Sequence, residues 1–409
     1  MKRTLAVLVV LLLAAAFAFT GGQKESGAAT GTEAVRIALW TQEGEAEGAF
    51  QLVRKFANEY SAMHPNVTFD VLNKETEALR QDFQTASLAG NPPDLLWTVN
   101  DHAGPFVVAG IIQPVGELFD MSKYVPSVEM QGEIWAVPIS SGNHLMLLYN
   151  KDLIQTPPAT TDELIEVGKR LTRGDTYAIV WNQVEPFWLA PWLHGFGGEV
   201  FAEDGVTPTL NTPEMVNALK FMHSLKYVHR ITPLEADYAT MDTLFKEGKA
   251  AMIINGDWSL GEYRNVLGDK LGVAPIPVVS STGRHPAPYT SGKYFMIPSG
   301  VSGTKLEVVK DFIAFATGYE KQIELVRTLT RLPALKETLQ DPLVVNDAIL
   351  KNSSEQMSYG VPQPSVVEMR CNWDAMKPEL NAVLADAKSA EAAARDMQSA
   401  AEVCIRTLE

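Results

Sequence analysis

Eight tryptophans carry the chemistry that this sequence can do, because several stand beside carboxylates or amides where the apolar pattern breaks. Trp40 precedes Thr41, Gln42 and Glu43; Trp97 precedes Asn100 and Asp101; Trp181 precedes Asn182, Gln183 and Glu185; Trp258 follows Asn255 and Asp257. A flat apolar face beside fixed hydrogen-bonding groups suits a sugar ring, whose C–H faces stack on aromatics while its hydroxyls need polar partners. Other chemistry finds no foothold. The chain has no G-x-S-x-G, H-E-x-x-H, C-x-x-C or G-x-x-x-x-G-K-[ST] segment. His223 and His229 are six residues apart, on different faces of a helix. No metal and no cofactor is expected. Carboxylates such as Asp101 and Glu185 leave a secreted glycoside hydrolase as the alternative, since that chemistry needs only two acids at a suitable separation.

These side chains need elements to hold them. Val35, Ile37 and Leu39 alternate with Arg36, Ala38 and Trp40, the period of a strand, and Phe50, Val53, Ala57 and Tyr60 then mark one face of a helix closed by His64-Pro65-Asn66. Val67, Phe69 and Val71 alternate again, Leu79, Phe83 and Ala86 form a second helix face, and Gly90-Asn91-Pro92-Pro93 stops it before an apolar strand from Leu95 to Val99. This β-α-β-α-β order predicts a mainly parallel sheet flanked by helices, with Glu43 and Asp101 at the carboxyl ends of its first and third strands, where open α/β sheets bind ligands. Ser140-Ser141-Gly142-Asn143, between two extended segments, reads as a hinge or crossing before a strand from Leu145 to Tyr149. Beyond it Asp162 or Thr161 can cap a helix, Thr212 with Pro213 opens another, Lys249 to Asn255 reads as a strand, and Ser389 starts the final helix.

Bulk properties bound the setting. Lys2, Arg3, an apolar run from Leu5 to Phe19 and Ala16-Phe17-Ala18 read as an export signal over residues 1–18, with a flexible leader over 19–32. Gly22 stands where a lipoprotein needs its Cys, so a lipid anchor is disfavoured. The formal charge of −15 argues against a polyanionic partner, and no nucleic acid is expected. Cys371 and Cys404 are the only cysteines and permit one disulfide or two free thiols.

Several segments together resemble one family, the extracellular solute-binding proteins of bacterial ABC sugar importers, of the maltose and maltodextrin type. They are NPPDLLWTVNDHAGPFVVAGIIQPV from Asn91 to Val115, LLYNKDL from Leu147 to Leu153, NQVEPFW from Asn182 to Trp188, GKAAMIINGDW from Gly248 to Trp258, and LPAL from Leu332 to Leu335. The resemblance implies an α/β, two-lobed periplasmic binding protein fold (type II), each lobe a mainly parallel sheet flanked by helices, with a hinge of crossing strands. It implies an N-terminal lobe of 33–140 plus 288–337 and a C-terminal lobe of 141–287 plus 338–409. Carried onto this sequence, it places sugar-hydroxyl carboxylates near Glu43 and on Asp101 and Glu185, and stacking aromatics on Phe187, Trp258 and Trp373. Asn143 or His144 stands where the family often has another acid. Thr98, His102 and Phe187 depart from a Trp, an Arg and a Tyr, and Trp188 or Trp192 is a candidate to replace the platform lost at Thr98. Arg370 is expected on the surface. The implied function is an exported, periplasmic, non-enzymatic monomer that captures a mono- or oligosaccharide and delivers it to membrane permease subunits.

Overall fold

The computed structural model describes residues 34–45 and 48–408. The predicted export signal and the whole of the leader lie outside the described residues. The first unit folds as the periodicity predicts: β1 (Val35–Thr41), a helix Ala49–Met63, β2 (Val67–Asn73), a helix Thr76–Leu88, and β3 (Leu95–Val99). β1 lies between β2 and β3, parallel to both. Val35, Ile37 and Leu39 point into the core while their neighbours point away, and all five residues of β3 are buried, as a strand covered on both faces requires.

A small hairpin of β4 (Glu129–Met130) and β5 (Glu133–Ile134) precedes β6 (Val137–Gly142), after which the chain turns at Asn143-His144 into β7 (Leu145–Asn150). Ser140, Ser141 and Gly142 thus belong to β6, so the turn of the crossing is shorter than the run of small residues suggests. Asn143 supplies it with a positive φ of 46°, a conformation in which Asn is among the better-tolerated side chains. β7 enters a second sheet of order β10-β7-β9-β8, formed with β8 (Tyr177–Val180), β9 (Ala250–Gly256) and β10 (Leu271–Ala274). The chain returns to the first sheet through β11 (Tyr289–Met296) and β12 (Leu332–Pro333), and β13 (Val361–Pro362) pairs with the start of β11. Among the described residues the larger sheet has the order β12-β6-β11-β3-β1-β2.

Both sheets are mixed. β11 runs antiparallel to β3 and β6, and β7 runs antiparallel to β9 and β10, so the parallel pairs are β1 with β2 and β3, β8 with β9, and β11 with β13. The crossing strands contribute to this: β6 leads out of the first sheet and β11 leads back into it, so the two run in opposite directions. Each sheet has its own core. Phe56, Trp97, Phe295 and Phe312 pack under the first, and Trp181, Trp192, Phe245 and Tyr263 under the second. The last two helices, Glu368–Leu384 and Ala390–Ile405, pack on the second core through Met376, Leu380, Ala393 and Met397. A Cys371–Cys404 disulfide joins them, with a Cα–Cα separation of 5.5 Å, which resolves the two cysteines as a bond. Thr212 and Ser389 cap their helices as expected, but Thr160, not Thr161 or Asp162, caps the helix Thr161–Leu171 by accepting from the Glu163 amide. The cap lies just outside the apolar stripe, and Thr161 is already helical and hydrogen-bonded to Ser280.

Candidate functional site

An aromatic cluster forms where the second lobe faces the first. Phe187 is at its centre, with ring centroids 5.9 Å from Trp188, 6.1 Å from Trp258, 6.3 Å from Tyr289 and 6.3 Å from Trp373. Four separate elements supply it: the short turn Pro186–Trp188, the turn Asp257–Ser259 after β9, the start of β11, and the helix Glu368–Leu384. Trp258 Nε1 donates to Tyr238 Oη at 2.9 Å and Trp188 Nε1 to the Ile254 carbonyl at 2.8 Å, so each indole has a fixed direction. Gly256 makes the Trp258 position possible: a Cβ there would lie 2.1 Å from the folded-back indole. Trp188 is buried, whereas Phe187, Trp258 and Trp373 keep part of their surface open. Tyr289 and Tyr238 join the group without any local signal in the sequence, since no polar-aromatic motif marks either segment.

The acids divide. Glu43 is 2% exposed and accepts two bonds from Arg331 Nη1, at 2.8 and 2.9 Å, and one from Trp97 Nε1 at 3.1 Å. Burial alone would raise its pKa, but the charges of Arg331 and Lys293, with the Arg331 and Trp97 hydrogen bonds, hold it below the usual range. Glu43 is therefore the counter-ion of a buried arginine, with three of its acceptor positions taken by Arg331 and Trp97. Glu185 lies at the rim, ion-paired with Lys377. Asp101 stays available: its carboxyl is held by no other side chain among the described residues, and burial first, then the Glu77 charge, pushes it up to about 6 against Arg370 and Lys293. The neighbouring His102 is fully buried with its Nδ1 2.8 Å from Thr98 Oγ1, and burial with the charges of Arg80, Lys293 and Arg370 depresses its pKa to about 3. It is a neutral imidazole, so it does not replace the charge of the arginine expected there.

Lys293, at an irregularity of β11, brings a cation to the floor between the lobes. Its ammonium donates to Asn143 Oδ1 at 2.9 Å and lies 5.8 Å from the centroid of the Trp258 ring. Asn143 is thus tied to the returning strand, while His144 is buried with Nε2 2.9 Å from the Ser353 carbonyl. Burial lowers the pKa of His144 in spite of the Asp257 charge. Arg331 also donates through Nη2 to the Trp258 carbonyl at 3.4 Å, so one guanidinium joins Glu43 of the first lobe to the aromatic turn of the second.

Arg370 is not a free surface residue. Its Nη1 donates to Glu77 Oε2 at 2.7 Å, from the helix Glu368–Leu384 to the helix Thr76–Leu88 of the first lobe, because the two lobes are packed together at this edge. Nearby, Asn100 Nδ2 donates to the Gln363 carbonyl at 3.1 Å, and a Cβ on Gly104 would meet the Ser365 carbonyl oxygen at 2.1 Å. Trp192 is not part of the cluster: it is 1% exposed and packs against Phe221 in the second core, with ring centroids 4.7 Å apart. Trp97 and Trp181 are buried in the cores of the two lobes. The arrangement offers aromatic faces, the acids Asp101 and Glu185, and fixed donors between two bodies. It brings together no group of three or more His, Cys, Asp or Glu side chains able to hold a metal ion among the described residues.

A family model described as bacterial extracellular solute-binding protein matches residues 55–352. The maltotriose-binding protein of Pyrococcus abyssi is 28% identical over 356 residues, covering 83% of this chain and 76% of that protein. The galactooligosaccharide-binding protein of Bacillus subtilis is 23% identical, covering 86% of this chain and 85% of that protein. Among solved structures, the maltose/maltodextrin-binding domain MalE of Bdellovibrio bacteriovorus bound to maltotriose is similar with a TM-score of 0.87 and 34% identity, covering 91% of this chain and all of that one.

Proposed function

The chain belongs to the bacterial extracellular solute-binding proteins, and from that premise we propose that it captures a maltodextrin-class oligosaccharide between its lobes for an ABC importer. The observation that carries this reading is the aromatic cluster of Phe187, Trp188, Trp258, Tyr289 and Trp373, facing Asp101 of the other lobe. The relatives that bind maltotriose, and the solved domain that holds it, support the α-glucan class.

In this reading the half-open faces of Phe187, Trp258 and Trp373 stack on sugar rings, with buried Trp188 bracing them. Asp101 and Glu185 accept hydroxyl protons through charge-assisted bonds. Asn143 and Glu43 belong to the floor, where they hold Lys293 and Arg331. The lobe limits of 33–140 plus 288–337 and 141–287 plus 338–409 follow the two strand sets, with β6–β7 and β11 as crossings, except that β13, within 338–409, pairs with β11 of the first sheet. A sugar touching both lobes favours the closed state through its differential contacts. The protein works as a monomer outside the cytoplasmic membrane, in the periplasm, and releases its ligand unaltered to permease subunits.

Isothermal titration of the mature chain with maltotriose, followed by chromatography of the recovered sugar, tests this. Saturable binding with intact trisaccharide is expected. Shortened products would replace the capture reading with a glycoside hydrolase, and heat only with galacto-oligosaccharides would move the substrate class.

A further inference from the structure

The rim of the cleft carries an ion pair that the aromatic cluster does not require. Arg370 Nη1 donates to Glu77 Oε2 at 2.7 Å across the two lobes, and each partner is held a second time. Asp374, one turn along the helix, accepts from Arg370 Nε at 3.1 Å and Nη2 at 2.6 Å, while Arg80 Nε donates to the same Glu77 oxygen at 3.2 Å. The Arg370 and Glu77 side chains are 29% and 43% exposed, so the bridge stands where the cleft meets solvent.

Behind it lies a cavity of about 10 Å³, lined by Glu77, Arg80, Asp101, His102, Arg370 and Trp373 among others, room for about one water. Two of these groups are poised for a ligand. His102 Nε2 is buried without a hydrogen-bond partner among the described residues, and the Asp101 carboxyl is bonded only to its own backbone N–H. Buried polar atoms left in this state are costly unless a partner arrives. A terminal sugar ring stacked on Trp373 from the side of the aromatic cluster would present hydroxyls to both.

We propose that the Glu77–Arg370 bridge is the end wall of the cleft, a specificity determinant that limits the bound oligosaccharide to a short chain ending beside Trp373, Asp101 and His102. This rests on the sugar-binding reading and adds the length of the ligand to it. A longer glucan has to run between the helices Thr76–Leu88 and Glu368–Leu384, and so must part the bridge. A partly exposed ion pair is weak by itself. The wall therefore acts mainly by occupying the exit, with Asp374 and Arg80 keeping the two side chains there.

The test is isothermal titration of the mature protein and its variants with maltotriose and maltoheptaose, with circular dichroism to establish folding. Wild type is expected to prefer maltotriose. Arg370→Ala and, from the other lobe, Glu77→Ala should each raise the affinity ratio of maltoheptaose to maltotriose about tenfold, or about 1.4 kcal/mol. The conservative variant Arg370→Lys, which keeps a cation beside Glu77 and Asp374, should hold the ratio near that of wild type. If both alanine variants change the two affinities by the same factor, the bridge is a closure latch and the wall is overturned. Failure of wild type to bind either glucan would instead overturn the sugar-binding reading on which the wall rests.

Discussion

Trp258 ties several parts of the site together: its ring contacts Phe187 and Trp188, its Nε1–H is fixed by Tyr238, its backbone carbonyl accepts from Arg331, and the Lys293 ammonium lies over its face. Trp258→Ala should weaken maltotriose binding by about 2 kcal/mol, roughly thirtyfold, as loss of a central aromatic anchor does. Unchanged affinity in titration calorimetry would remove it from the site. Asp101 gives a pH dependence whose sign is fixed. With its pKa raised to about 6 in the fold, the protonated form is favoured relative to an unfolded chain titrating near about 3.9. Its contribution to stability is thus present below about pH 3.9 and lost as the pH rises through about 6. Sugar affinity runs the other way, because the ionised carboxylate is the better acceptor, and should increase between about pH 5 and 7. Asp101→Asn should flatten both profiles. Glu43 and Arg331 call for a different experiment, since both are buried. Arg331→Met leaves an unpaired carboxylate and should cost about 3–5 kcal/mol in urea unfolding, while the double variant with Glu43→Leu should recover much of it.

At the scale of elements, the helix Glu368–Leu384 carries two cleft side chains, Arg370 and Trp373, on either side of Cys371. The disulfide ties it to the final helix across a sequence separation of 33 residues. Reduction should lower the unfolding free energy by about 3–4 kcal/mol on the chain-entropy account, read as a shift of the urea midpoint. Sugar affinity should fall with it, because the helix that positions Trp373 loses a restraint. The Thr212 cap gives a control away from the site: its side chain accepts from the Met215 amide, and Thr212→Ala should cost about 1 kcal/mol of stability with no effect on binding. Such elements are legible in the sequence. The apolar stripes and the Thr-Pro, Ser and Gly-Pro signals lie within one or two turns of the helices they define, so local sequence specifies them. The mixed direction of the sheets is not legible there, since it depends on which remote strands β7 and β11 meet.

For the whole molecule, the proposed capture makes closure of the lobes the variable to measure. Two sheets with separate cores are joined by β6–β7 and β11, so the lobes can move relative to each other once contacts such as Arg370–Glu77 and Asn100–Gln363 part. Ligand that binds only the folded state must also stabilise it. Maltotriose at about a hundred times its dissociation constant should add about 2.7 kcal/mol to stability, seen as a higher melting temperature, and small-angle scattering should show a smaller radius of gyration. A raised melting temperature with no change in radius would mean that the lobes do not close on the sugar.

The sequence by itself determined the local units: the β-α-β-α-β start, the caps at Thr212 and Ser389, the crossing near Asn143, and the tryptophans at breaks in the apolar pattern. It also carried the set of motifs that marks the family. The tertiary structure alone decided which polar groups meet. Glu43 and Arg331 are 288 residues apart, Glu77 and Arg370 are 293 apart, and Asn143 and Lys293 are 150 apart. Periodicity and capping act over a few residues, whereas these pairs exist only because the chain crosses between two sheets and packs the second against the first. That is why Glu43, beside a tryptophan in the sequence, resembles a ligand acceptor until Arg331 occupies its oxygens, and why Arg370 resembles a surface charge until Glu77 faces it.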